Sequence, residues 1–134
     1  MRQHTRGLTL IELMVVVAVI AILATIAVVS WGNFVRRSAR SDAMTALSDL
    51  RIKQEQYRLA HPQYAPTLAS FTPALSATSP NGKYAIAITN SGVASFTATA
   101  TPTGSQATDD CGTFAINQDG PFYTGYADAQ CWRR

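Results

Sequence analysis

The chain opens on a mostly polar segment of seven residues and then carries a single charge, Glu12, in the long apolar run LTLIELMVVVAVIAILATIAVVS from Leu8 to Ser30. At about 1.5 Å per helical residue, such a run spans the ~30 Å hydrocarbon core of a bilayer. Beyond it the pattern changes. From Trp31 to His61, Val35, Ala39, Ala43, Leu47, Leu50 and Tyr57 recur mostly three or four apart, which is the spacing of one helix face. Asp49 with Lys53, and Glu55 with Arg51, stand where local ion pairs form. Pro62 ends the pattern, because the residue before a proline disfavours the α region. The two patterns join into one predicted helix over 8–61, about 50 residues and roughly 80 Å, with a lipid half and an amphipathic half.

After a connection over 62–82 that holds Pro62, Pro66, Pro73 and Pro80, the period shortens to two. Asn81-Gly82 opens KYAIAIT (83–89), and Asn90-Ser91-Gly92 reads as a hairpin turn into VASFTATA (93–100). Residues 113–118 give a third strand, ended by Asp119-Gly120. Alternation in YAIAI and FTATA predicts an antiparallel sheet with one face on the helix. The expected fold class is α+β: a long N-terminal helix packed on a small antiparallel sheet.

A carboxylate inside a membrane helix costs a few kcal/mol, more when unpaired. Nothing else in the run bears charge, so Glu12 either snorkels to the headgroups or meets a partner from outside its own helix. The leader MRQHTRG is short and basic, and the apolar run exceeds a secretory signal core, with no small-residue cleavage site standing out beyond it. The pattern favours a retained membrane helix whose leader faces the cytoplasm, although Arg36, Arg37 and Arg40 beyond the span weaken the charge asymmetry.

The net charge of +3 divides unevenly. Residues 1–7 carry Arg2 and Arg6, residues 8–61 carry six bases against four acids, and residues 62–134 carry Lys83, Arg133 and Arg134 against Asp109, Asp110, Asp119 and Asp128. The basic excess therefore lies in the leader and the helix, and charge alone leaves nucleic acid unsupported as a partner. Cys111 and Cys131 are the only cysteines. An even count behind an export-type N-terminus favours a disulfide, with two buried thiols as the alternative and metal binding disfavoured by the spacing. No nucleophile–base pairing, phosphate loop or ligand cluster points to an enzyme or to a cofactor. Asp109-Asp110 is the one place a calcium reading arises, and adjacent acids in a Thr/Ser/Gln-rich loop are more often solvated. His61 has no evident role, and Phe122, Tyr123 and Tyr126 are expected to pack beneath the loop bounded by the cysteines.

Gly7-Leu8-Thr9-Leu10-Ile11-Glu12 resembles the processing motif of type IV prepilins. That resemblance implies cleavage between Gly7 and Leu8 by a membrane-embedded prepilin peptidase and N-methylation of Leu8, where Phe is usual. It also implies that Glu12 pairs with the methylated amine of a neighbouring subunit during assembly. The Cys111–Cys131 region resembles the disulfide-bounded end of type IV pilins, and Cys131-Trp132-Arg133 with FTATATPTGSQATDDCGTFAIN resembles minor pilins of the PilE kind. Val29 and Ala21 stand where many relatives carry Pro and Gly, which loosen the membrane helix on assembly.

The organisation that follows is a leader over 1–7, a transmembrane and assembly helix over 8–30, an amphipathic helix over 31–61 and a sheet-containing head over 62–134. The expected function is that of a minor type IV pilin, contributing to pilus initiation, twitching motility, adhesion or DNA uptake. Its partners would be other major and minor pilins, the peptidase, the inner-membrane assembly platform and membrane lipid before assembly. It would sit in the inner membrane and then in the extracellular pilus. A pseudopilin of a type II secretion or competence system shares the N-terminal half, and a non-polymerising membrane-anchored periplasmic binding module is the alternative of another class.

Overall fold

A computed structural model describes residues 8–133, and within them every side chain except those of Val29 and Ser30. The expectations on Gly7 and its leader, and on the Val29 side chain, lie outside the described residues. The chain divides into two compact units, Met1–Val35 and Arg36–Arg134. One helix, α1 (Leu10–Ala60, 51 residues), contributes to both.

In the first unit α1 is apolar on all sides, and the side chains of 8–28 are all exposed. Leu10 is 77% exposed and Ile20 59%, so nothing among the described residues covers this surface. The helix is long and apolar enough to cross a membrane. Its one mid-segment hydroxyl, on Thr25, donates back to the Ile22 carbonyl at 2.7 Å, which satisfies it without water. The backbone stays helical through Ala21 and position 29.

In the second unit α1 ends at Ala60, just before His61-Pro62, as the proline requires. His61 stacks on Tyr57 with ring centroids 3.8 Å apart, and its Nδ1 meets the Tyr57 carbonyl at 2.9 Å. The strands are β1 (Tyr84–Ser91), β2 (Phe96–Pro102), β3 (Phe114–Asn117) and β4 (Gly120–Pro121). They form an antiparallel meander in the order β1-β2-β3-β4. The first three match the alternation read from sequence with ends shifted by up to three residues, and β4 is an addition. Its two residues are too few to carry a period. The hairpin bend falls at Gly92–Ser95, where the Gly92 N–H donates to the Ser95 carbonyl at 2.8 Å. A bulge between Ile88 and Asn90 shifts the register there.

Ala43, Met44, Leu47 and Leu50 of α1 meet the inward set Tyr84, Ile86, Phe96, Ala98, Ala100, Phe114 and Ile116. The stripe is narrower than its sequence pattern: Val35 is 43% exposed, and Ala39 and Tyr57 are half-buried. Gln54 continues it instead, fully buried one turn past Leu50. Its amide pairs with Ala65 in both directions, Oε1 accepting from the N–H at 2.8 Å and Nε2 donating to the carbonyl at 3.0 Å. A polar side chain can lie in a core when both its groups are matched.

The expected pair of Glu55 with Arg51 is replaced by longer-range bonds, and the ion pair found among the described residues is Arg40–Asp109, not Asp49–Lys53. Arg51 donates to the Gln118 carbonyl at 2.9 and 3.2 Å, and Glu55 accepts from the Tyr64 hydroxyl at 3.1 Å.

Candidate functional site

The first candidate region is the start of α1. Leu8 precedes the helix and is 76% exposed. Thr9 is the N-cap: its Oγ1 accepts the Glu12 N–H at 3.3 Å, and its carbonyl accepts the Leu13 N–H at 3.2 Å. Thr9 and Glu12 thus occupy the first and last positions of a capping-box sequence. The cap uses the Glu12 backbone, and among the described residues the Glu12 carboxylate receives no hydrogen bond. Placed in the first helical turn, the acid is favoured by the helix dipole. It remains available to a partner.

The second region is in the body and was not anticipated. Arg37 and Arg40, three apart on α1, share a face. With Asp128, Gln130, Cys131 and Arg133 of the C-terminal tail they line a polar groove of about 450 Å³. Its two walls come from opposite ends of the second unit.

One wall is fixed by a buried network. Arg40 Nε donates to Asp109 Oδ2 at 2.8 Å, and Nη2 donates to Oδ1 at 2.6 Å. This hydrogen bond holds the Arg40 guanidinium above its ordinary pKa against the opposing effect of burial. The Gln106 amide nitrogen reaches Asp109 Oδ2 at 3.2 Å, the Tyr84 hydroxyl at 3.1 Å and the Arg36 carbonyl at 3.2 Å. Burial pushes the Tyr84 phenol up. Asp109 had been expected to be a solvated loop acid. It is instead buried at 6% exposure, and both its oxygens accept hydrogen bonds from Arg40.

The other wall is fixed by a turn and a crosslink. Asp128 Oδ1 accepts the N–H groups of Gln130 and Cys131, each at 2.9 Å. Cys111 and Cys131 are joined in a disulfide, with Cα atoms 5.8 Å apart. Trp132 packs edge-on against Phe114 at 5.4 Å between centroids. Trp132 therefore fills the place expected for the other aromatics: Phe122 and Tyr126 pair with each other at 5.8 Å, and Tyr123 is 45% exposed.

Arg37 and Arg133 are exposed, and among the described residues neither guanidinium has a hydrogen-bond partner. Arg40 is neutralised by Asp109, so the groove's three arginines less Asp128 leave a surplus of one positive charge. Two free planar donors flanking a concave surface suit a phosphodiester anion. Dividing the sequence into blocks hid this arrangement, since Arg37 was counted with the helix and Arg133 with an acidic head. The one local signal was the Arg37/Arg40 spacing.

Comparison with protein families gives two matches. Residues 2–28 match the prokaryotic N-terminal methylation motif. Residues 30–115 match a family described as type IV minor pilin ComP, DNA uptake sequence receptor. That match takes in Arg37, Arg40, Asp109, β1, β2 and the first two residues of β3, and ends before β4 and the tail wall of the groove. Comparison with curated proteins returns no match. The sequence had resembled minor pilins of the PilE kind, and the matched family is that of another minor pilin. Pilins are structural subunits, not enzymes. With a methylation-motif helix, an antiparallel sheet and a C-terminal disulfide on one chain, and a family match across well over half of it, the chain belongs to the type IV minor pilin ComP family and is a minor type IV pilin.

Proposed function

We propose that this minor pilin receives DNA during uptake, and that the arginine groove carries the contact with the DNA backbone. The observation that supports this reading most is the family match over 30–115, whose description is that of a DNA uptake sequence receptor. The groove supplies a physical reason. Phosphate contacts dominate protein–DNA affinity, and Arg37 and Arg133 are guanidiniums with unused donors on a fixed frame. Family-level information thus adds the nucleic-acid partner that charge counting left unsupported.

The route to the pilus follows the motif. A prepilin peptidase cuts after Gly7 and Leu8 becomes the methylated N-terminus, which leaves one residue before the Thr9 cap. The helix holds the subunit in the inner membrane as a single pass, with the body outside the cytoplasm, until the assembly platform draws it into a fibre of other pilins. There the Glu12 carboxylate meets the amine of a neighbouring subunit, because two charges in an apolar core are tolerable only as a hydrogen-bonded pair. Such a pair sets register more than it adds affinity.

Two measurements test this. Mass spectrometry of the mature protein should find methylated Leu8 at the N-terminus; Met1 retained overturns the processing route. A deletion strain should lose transformation and regain it with the wild-type chain but not with Arg37→Gln/Arg133→Gln. Full rescue by that variant overturns the assignment of the groove.

A further inference from the structure

We propose that, before the subunit leaves the membrane, the same groove seats the phosphate of an anionic phospholipid headgroup, so that lipid and DNA occupy it in turn. This rests on the reading of the groove as a phosphodiester site and adds a second partner to it.

The first argument is position along the chain. Ser30 closes the apolar run, and Arg37 follows seven residues later in the sequence. Seven residues of chain span at most about 25 Å in any conformation, and the polar layer of a bilayer extends several Å beyond its hydrocarbon core. An arginine that close in sequence to the end of a span is within reach of the headgroup phosphates. Arg36 and Arg40 flank it on the same segment. Juxtamembrane bases of this kind are drawn to anionic lipid, and basic pockets beside a span bind phospholipid headgroups.

The second argument is shape and charge. Three exposed arginines in a row would attract any anionic surface without selecting a molecule. Here Arg40 is locked to Asp109 at 2.6 Å, Asp128 is spent on the turn at Gln130 and Cys131, and a concave space of about 450 Å³ remains between Arg37 and Arg133. The surplus of one positive charge matches the single negative charge of a phosphodiester, which lipid headgroups and DNA backbone share. A zwitterionic headgroup brings a cation into the same space and is the poorer fit.

The consequence is an ordering. While the groove is engaged by lipid, the membrane pool of subunits presents no free phosphate site to DNA. Extraction into the fibre empties it.

The test uses the full chain in nanodiscs of mixed phosphatidylglycerol and phosphatidylcholine, with retained lipid counted by native mass spectrometry. Wild type should retain phosphatidylglycerol on the order of tenfold above its bulk ratio, and Arg37→Gln/Arg133→Gln should return to that ratio. A control variant, Lys53→Gln/Lys83→Gln, removes the same charge outside the groove and should behave as wild type. Bulk-ratio retention by wild type, or equal loss in the control, overturns the inference. Binding of duplex DNA by the same proteins in detergent separates the two readings. If the groove variant loses DNA while wild type shows no lipid preference, the lipid inference fails and the DNA reading stands. If the groove variant loses lipid preference while DNA binding stays intact, the shared site is overturned: the groove then seats lipid and DNA binds elsewhere.

Discussion

Arg40 holds Asp109 through two parallel hydrogen bonds, at 2.8 and 2.6 Å, across 69 positions of sequence. The contact links the helix to the loop that leads into Cys111, and so ties one groove wall to the base of the other. Asp109 is almost wholly buried while Arg40 keeps some contact with water. Removing one partner of such a pair is far worse than removing both. Arg40→Ala should therefore cost about 3 kcal/mol, and Arg40→Met/Asp109→Leu distinctly less. Denaturant unfolding followed by near-ultraviolet circular dichroism checks the order. Equal losses in the two variants would contradict it.

Gln54 makes a similar case without charge. Its truncation leaves the Ala65 N–H and carbonyl without partners in a buried site. Gln54→Ala should cost about 1–3 kcal/mol. The same unfolding measurement reads it, and a loss below a few tenths would mean that water takes over both bonds.

The disulfide closes a separation of 20 residues at the edge of a small core. Cys111→Ser/Cys131→Ser should lower stability by about 3 kcal/mol, through freedom gained by the unfolded chain. Differential scanning calorimetry of reduced and oxidised protein reports the change, and an unchanged transition would refute it.

Tyr84 gives a pH dependence. Burial raises its pKa in the folded state, so folding favours the protonated phenol. The stability linked to that proton is complete below the unfolded tyrosine pKa of about 10 and is lost as pH rises through the folded value. The Tyr64 phenol is also pushed up, by burial and by its hydrogen bond to Glu55, so tyrosinate absorbance should show two late-titrating groups, of which Tyr84→Phe removes one.

Much of this was legible in the sequence, for reasons that differ by element. The apolar run announced a membrane helix because a bilayer demands unbroken hydrophobicity. The strands announced themselves through the inward positions of YAIAI and FTATA, where one face is buried and the other is not. Gln54 could not be read as core, since its burial depends on a backbone partner 11 residues away. Asp109 looked like a loop acid because loop acids are generally solvated, and only Arg40 makes it otherwise. The groove was invisible for the same reason: its charges come from residues 37 and 133, which no local pattern joins.

The central claim is that Arg37 and Arg133 carry DNA on a pilin body. The most direct measurement is the affinity of the full chain in detergent for duplex DNA as a function of salt. Wild type should lose affinity steeply with salt, and Arg37→Gln/Arg133→Gln should bind more weakly with a log–log slope shallower by about two. An unchanged affinity and slope in that variant would contradict the account.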